Sequence, residues 1–292
     1  MVAISPCSKC GRVWRTDLIW CKVCGTLQLD SLEGYRLVRV VSYPKSGRTW
    51  LAHLWYHYTL KKFGVTDLDY GFTYNPHLRK HFQKLLLDNA ADGYPIVSFH
   101  HAGSRGRRKQ RTRLMDKARS LLDRPVLHLA RDPARTVVSM FHHMRTKTDE
   151  APRTLTEFIQ DKSLGLAKIV DFLNTWAEVG RLHLDWVQMS FYEDLLANTE
   201  GEFREIVGFF DSSGIDTAAI IHAVRASDFD TMQRSEIAKR ESVKGAGPVE
   251  QDELRVRVGK SGDSKELSQE DRSYIRRVLV KRLDRQFQRY LR

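Results

Sequence analysis

The chain has 292 residues, 41% of them hydrophobic, which is enough for one large domain, or a large domain and a small appendage, with a true core. Its 48 lysines and arginines outnumber 36 aspartates and glutamates, and the formal charge of +12 favours anionic partners: nucleotides, sulfated or carboxylated glycans, nucleic acid or acidic lipid. No run approaches the roughly 20 apolar residues that span a bilayer, and the start lacks the basic and apolar regions of a signal peptide. The expectation is a soluble, cytoplasmic protein without internal repeats or low-complexity tracts.

All four cysteines lie at the start, as Cys7-x2-Cys10-x10-Cys21-x2-Cys24, with Gly11 and Gly25 directly after the pairs. The pattern fits two zinc knuckles facing one another across a short hairpin, with four thiolates in tetrahedral coordination. Such a closed set leaves no position for water, so the metal is expected to be structural zinc. It would stabilise a ribbon over 1–30 that is too short to hold a core alone. Trp14 and Trp20 are expected to pack or to serve as contact residues. A main domain over 31–292 contains no cysteine, as in proteins of reducing compartments.

Tyr35 to Tyr43 is rich in β-branched residues and stops at Pro44, which predicts a strand; Thr49 to Phe63 has the length and spacing of a helix. Three more apolar runs read as buried strands: Pro95 to Phe99, Pro125 to Ala130 and Leu184 to Tyr192. Helices are expected over Arg111 to Leu122, Ala134 to Met144, Leu155 to Gly180 with a break at Gly165, Thr199 to Phe210, Thr217 to Ala226, and Gln269 to Leu291. Arg234 to Lys265 is polar and without a clear period, so it is expected to be a long surface segment of lid-like length. The alternation predicts an α/β fold whose central parallel sheet is flanked by helices on both faces.

In such sheets ligands sit beyond the carboxyl ends of the strands. There the chain carries Tyr43-Pro-Lys-Ser-Gly-Arg-Thr-Trp50, then His100-His101, then Arg131-Asp132, then Tyr192-Glu193-Asp194. The first loop lacks the GxxxxGK[ST] order of an ATP or GTP loop, because Lys45 precedes Gly47. It still has the parts of an anion cradle: a glycine that lets backbone approach, free amides at a helix start, and donors on Lys45, Ser46, Arg48 and Thr49.

Read with Arg131-Asp-Pro-Ala-Arg-Thr-Val-Val-Ser139, Phe191 to Asp194, Ser227-Asp-Phe229, Arg257-Val-Gly259 and Gly262-Asp263, the chain resembles the cytosolic-type sulfotransferases over about residues 35–290. That resemblance implies a P-loop-like sulfotransferase fold and a 3′-phosphoadenosine 5′-phosphosulfate (PAPS) donor, with adenosine 3′,5′-bisphosphate (PAP) as product. It places Lys45, Ser46, Gly47, Arg48, Thr49 and Trp50 at the 5′-phosphosulfate, with Trp50 against adenine. Arg131 and Ser139 fall at the 3′-phosphate, Tyr192, Ser227 and Phe229 at adenine, and Arg257 with Gly259 complete the 3′-phosphate site. His100 is implied as the general base, Lys45 as the group stabilising the leaving oxygen, and Ser139 as the residue restraining Lys45 until acceptor binds. Histidine suits a proton transfer near neutral pH, and adjacent strand residues face opposite ways, so only one of His100 and His101 can reach the acceptor.

The chain departs from the family pattern in several places. Arg48 replaces the first threonine of the family loop, Val258 a basic residue, and Ser98 the lysine two before the histidine; the dimer motif is not recognisable around Lys265 to Asp271, which leaves the oligomeric state open. Six basic residues crowd Arg105 to Arg113. Facing the acceptor they would favour a polar, anionic or glycan-like small molecule; otherwise they are a solvated helix start. Two competing readings are a phosphotransferase or kinase of similar fold, against which the Lys45 order argues, and a zinc-ribbon nucleic-acid-binding protein, for which no aromatic stacking array is evident.

Overall fold

A computed structural model describes residues 4–6, 13–15, 34–65, 80–101, 111–145, 154–211, 213–241 and 266–291. At the start, β1 (Ile4–Pro6) pairs antiparallel with β2 (Val13–Arg15), Ser5 opposite Trp14. All four cysteines expected to hold zinc lie outside the described residues.

The main sheet has four parallel strands, β3 (Leu37–Ser42), β4 (Ile96–His100), β5 (Val126–Ala130) and β6 (Val187–Phe191), in the order β4-β3-β5-β6. β3 and β5 are buried along their whole length, as β-branched and leucine-rich runs require in a sheet covered on both sides. One face carries Val38, Val40, Val97, Leu127 and Leu129 and packs against α1 (Arg48–Lys62), α2 (Lys80–Ala90), α8 (Thr199–Phe210) and α9 (Thr217–Ala226). Trp55 is fully buried there and stacks with Tyr58 and Tyr94 at 5.6 and 5.5 Å, with Phe210 edge-on. The other face carries Val41, Val126 and Ala130 and packs against α3 (Arg111–Arg119), α4 (Pro133–Arg145), α5 (Leu155–Gln160), α6 (Leu166–Leu182) and α11 (Gln269–Arg282). The expected parallel α/β sheet is present.

Several boundaries differ from the sequence expectation, each for a local reason. The break at Gly165 is real: a Cβ there would lie 2.1 Å from the Phe158 carbonyl oxygen, so only glycine lets α6 start against the end of α5. The run from Leu184 to Tyr192 contributes a strand only from Val187, because 183–186 form a turn, and Tyr192 already opens a short helix, α7 (Tyr192–Ala197). α10 (Phe229–Glu241) takes the first eight residues of the segment expected to be irregular from Arg234; Asp228 accepts from the Asp230 and Thr231 amides at its start. The final helix ends at Arg282, and a 3-10 turn follows over Arg285–Leu291. α2 was not expected.

Candidate active site

The chain leaves β3 toward β4 on one side and β5 toward β6 on the other, so the carboxyl ends of β3 and β5 form a topological switch point. Both basic loops of the sequence open there. After Tyr43 the chain makes a tight turn, the Ser46 amide donating to the Tyr43 carbonyl at 3.2 Å. Lys45 takes a left-handed backbone at φ 71°, as does Gly47 at φ 89°, immediately before α1. For a lysine that conformation is strained by a kilocalorie or more and is held by its surroundings. One restraint is visible: the Arg131 guanidinium donates from Nη1 to the Lys45 carbonyl at 2.7 Å.

Tyr192 joins the two loops. Its ring lies against Gly47 so closely that a Cβ on that glycine would be 2.4 Å from Cδ2. The Arg131 guanidinium sits over the same ring at 4.6 Å, and Trp50 meets it edge-on at 5.9 Å. Trp50 donates from Nε1 to the Ser227 carbonyl at 2.9 Å. The Ser227 side-chain hydroxyl is buried and finds no hydrogen-bond partner among the described residues. Ser46 is buried, Arg48 and Thr49 begin α1 half-buried, Ser139 lies on the buried side of α4, and Phe229, half-buried, begins α10 next to Ser227. Residues from four separate stretches of sequence, 45–50, 131, 192 and 227, are thus linked beside one sheet edge, while these contacts do not join Ser139 or Phe229 to them. Arg257 and Gly259 lie outside the described residues, as does most of the basic run from Arg105; of that run Arg113 is exposed on α3.

The two histidines end β4 beside this loop, and their partners distinguish them. His100 Nε2 is 2.9 Å from Ser98 Oγ, which itself donates to the Val38 carbonyl at 3.3 Å. His101 Nδ1 is 3.2 Å from the carbonyl of Ser42, the last residue of β3. Neither Ser98 nor its link to His100 was foreseen as functional, although the i, i+2 spacing on a strand puts the two side chains on one face.

Behind the loops, the Asp132 amide donates to Glu193 Oε1 at 3.0 Å, and Tyr290 donates its hydroxyl to Glu193 Oε2 at 2.9 Å. Burial, and then the Glu193 carboxylate, push the Asp132 carboxyl upward in pKa against the pull of its hydrogen bond from the Ala134 amide. Among the described residues no group of histidine, cysteine, aspartate or glutamate side chains is placed to hold a metal, and no helix is long and apolar enough to cross a membrane.

A parallel sheet with a glycine turn, an arginine and two aromatic rings converging at its switch point is the frame of an α/β enzyme that handles a phosphate-bearing ligand. The family model described as sulfotransferase domain matches residues 37–291, and the chain belongs to that family of enzymes. Among solved structures it is similar to the mouse sulfotransferase SULT7A1 complexed with PAP, at 18% identity and a TM-score of 0.57, over 97% of this chain and 95% of that one. It is also similar to a retinol dehydratase in complex with androsterone and inactive cofactor PAP, at 18% identity and a TM-score of 0.52, over 85% and 81% of the two chains. At these identities the likeness is one of fold. No curated protein sequence matches the chain.

Proposed function

We propose that the chain transfers a sulfuryl group from PAPS to an acceptor hydroxyl or amine, the acceptor being polar or anionic. The observation that carries this reading is the convergence of the Lys45–Trp50 loop, Arg131, Tyr192 and Ser227 at one switch point. In this reading Lys45, Ser46, Gly47, Arg48 and Thr49 hold the 5′-phosphosulfate, with loop amides and the start of α1 as further donors. Arg131 and Ser139, joined by Arg257 and Gly259, hold the 3′-phosphate. Trp50, Tyr192, Ser227 and Phe229 frame the adenine, and the buried Ser227 hydroxyl is a donor or acceptor suited to a base edge.

The acceptor oxygen attacks sulfur in line, and the bond from sulfur to the bridging phosphate oxygen breaks; PAP leaves, and the acceptor proton passes to a base. Such a transfer asks the protein for position and charge more than for covalent chemistry. Lys45 neutralises the bridging oxygen as it gains charge. Ser98 directs its hydroxyl proton to the Val38 carbonyl, so its oxygen is set to accept from His100 Nε2–H. In this reading His100 would carry its proton on Nε2 and present Nδ1 as the basic nitrogen. The His101 Nδ1 must donate to a carbonyl that can only accept, which ties that ring to the end of β3.

The basic run after His100 supports an anionic or glycan-like acceptor by charge complementarity. The four cysteines are read as holding structural zinc, in support of which they fall in two Cys-x2-Cys pairs. Two measurements test the whole. Thermal unfolding should rise in the presence of PAP and not of ATP, and labelled sulfate should pass from PAPS to acceptors in a host extract. Stabilisation by ATP alone would instead indicate a phosphotransferase, and a response to oligonucleotides alone a nucleic-acid-binding protein. Purified chain should carry roughly one zinc per chain, lost in Cys7→Ser; metal-free chain of equal stability would remove the zinc assignment.

A further inference from the structure

The last seven described residues are tied to the donor loops through the turn that carries Tyr192. Arg289 pairs with Asp194 through both carboxylate oxygens and lies over the Phe191 ring at 4.5 Å. Tyr290 donates to Glu193 Oε2 at 2.9 Å, and Glu193 Oε1 accepts the Asp132 amide at 3.0 Å. The next residue back, Arg131, donates to the Lys45 carbonyl at 2.7 Å and stacks on Tyr192. Two side chains of the C-terminal turn therefore grip the residues on either side of Tyr192. One of those residues, Glu193, also fixes the backbone immediately after Arg131.

We propose that Tyr290 and Glu193 are positioning residues for the donor site: the C-terminal turn sets the places of Arg131 and Tyr192, and so the tightness with which the nucleotide donor is held. This rests on the donor reading given above, but the mechanical part of it does not need the donor. Burial and the adjacent Glu193 carboxylate push the Tyr290 hydroxyl pKa upward, so it stays a proton donor across the working range. A carboxylate that accepts from both sides orders its neighbours without presenting charge to the phosphates. The chain of contacts runs between residues 45 and 290 and has no counterpart in the local sequence pattern.

The test uses the full chain and four proteins: wild type, Tyr290→Phe, Glu193→Gln, and Arg181→Ala as a control. Arg181 forms an exposed ion pair with Asp284 at 2.8 Å, which also secures the C-terminal segment but does not touch Glu193. Tyr290→Phe should weaken PAP roughly fivefold by titration calorimetry, as loss of one hydrogen bond implies. It should raise the KM for PAPS while kcat stays within about twofold. Glu193→Gln should do the same or more. Arg181→Ala should leave PAP affinity unchanged even where it lowers thermal stability. Amide hydrogen exchange of residues 131–134 should quicken in Tyr290→Phe and not in Arg181→Ala. Unchanged exchange and affinity in Tyr290→Phe, or equal effects in Arg181→Ala, would overturn the proposal. A wild type that does not bind PAP would fail the donor reading instead, and exchange would still decide the positioning role.

Discussion

Gly47→Ala probes the contact on which the Lys45–Trp50 loop meets Tyr192. The glycine sits at φ 89° and ψ 5°, where an alanine costs about 1–2 kcal/mol from its backbone alone. The added methyl would also stand 2.4 Å from Tyr192 Cδ2 and 2.8 Å from Cε2. Ordinary contact requires the ring to retreat by roughly 1 Å, which in a packed site costs a further ~1–2 kcal/mol. The retreat is directed away from the loop and disturbs the stacking of Arg131, now 4.6 Å from the ring, and the edge contact with Trp50 at 5.9 Å. The variant should therefore lose roughly 2–4 kcal/mol of stability, read as a lower urea midpoint with unchanged m, and should bind PAP at least about tenfold more weakly. A double-mutant cycle separates the two causes. In a Tyr192→Ala background the steric part vanishes, and Gly47→Ala should cost only the backbone share of about 1–2 kcal/mol. Equal costs in both backgrounds would refute the close packing of ring and glycine, and a cost below about 0.5 kcal/mol in the wild-type background would refute the left-handed turn as well.

His128 is wholly buried on β5 among Phe172, Trp176 and Phe287, neither ring nitrogen has a hydrogen-bond partner among the described residues, and burial pushes its pKa down to about 3. The unfolded chain takes up a proton near pH 6.5 that the folded chain refuses. Stability from this group is therefore complete above that pH and drains as pH falls toward 3, by about 2 kcal/mol between pH 7 and 5. His128→Leu should remove this slope in urea titrations at the two pH values and be neutral or stabilising at pH 7; an unchanged slope would show that other groups carry it. His100→Ala should abolish sulfuryl transfer with PAP affinity within about twofold of wild type, and His101→Ala should retain transfer; the reverse pattern would make His101 the base. Ser98→Ala should lower kcat several-fold and leave the KM for PAPS unchanged, since it frees the His100 ring without touching the donor; a kcat equal to wild type would remove Ser98 from the mechanism.

The parts of this fold that could be read in advance are those in which a short stretch of chain meets one uniform environment. β3 and β5 are buried on both faces, so their β-branched and leucine runs announce themselves, and the turns that follow carry the chemistry because a parallel sheet leaves its carboxyl edge for loops. Where burial changes within a few residues the pattern is lost. From Leu184 to Tyr192 apolar residues run on, but Leu184 and Trp186 are exposed in a turn, the strand is only Val187–Phe191, and Tyr192 belongs to a helix. α10 was missed because few of its residues are buried, so no apolar stripe marks it.

The site divides in the same way. The sequence places Lys45 to Trp50 and Arg131 directly after strands, and the adjacency of His100 and His101 leaves two candidates for the base. Nothing in the sequence tells Tyr192 to lie on Gly47, and nothing local joins Tyr290 to Glu193, 97 residues before it. Both are tertiary contacts with no period to detect, and the second is made by the docking of the C-terminal turn. They decide more than placement. A lysine at φ 71° persists only if its neighbours hold it there, and the visible restraint on its carbonyl comes from Arg131. The backbone beside that arginine is held in turn by Glu193. The strain in the loop and the long-range contacts that support it are thus two sides of one arrangement: the cradle is legible in the sequence as a list of donors, while the shape that makes those donors converge is supplied from the far end of the chain.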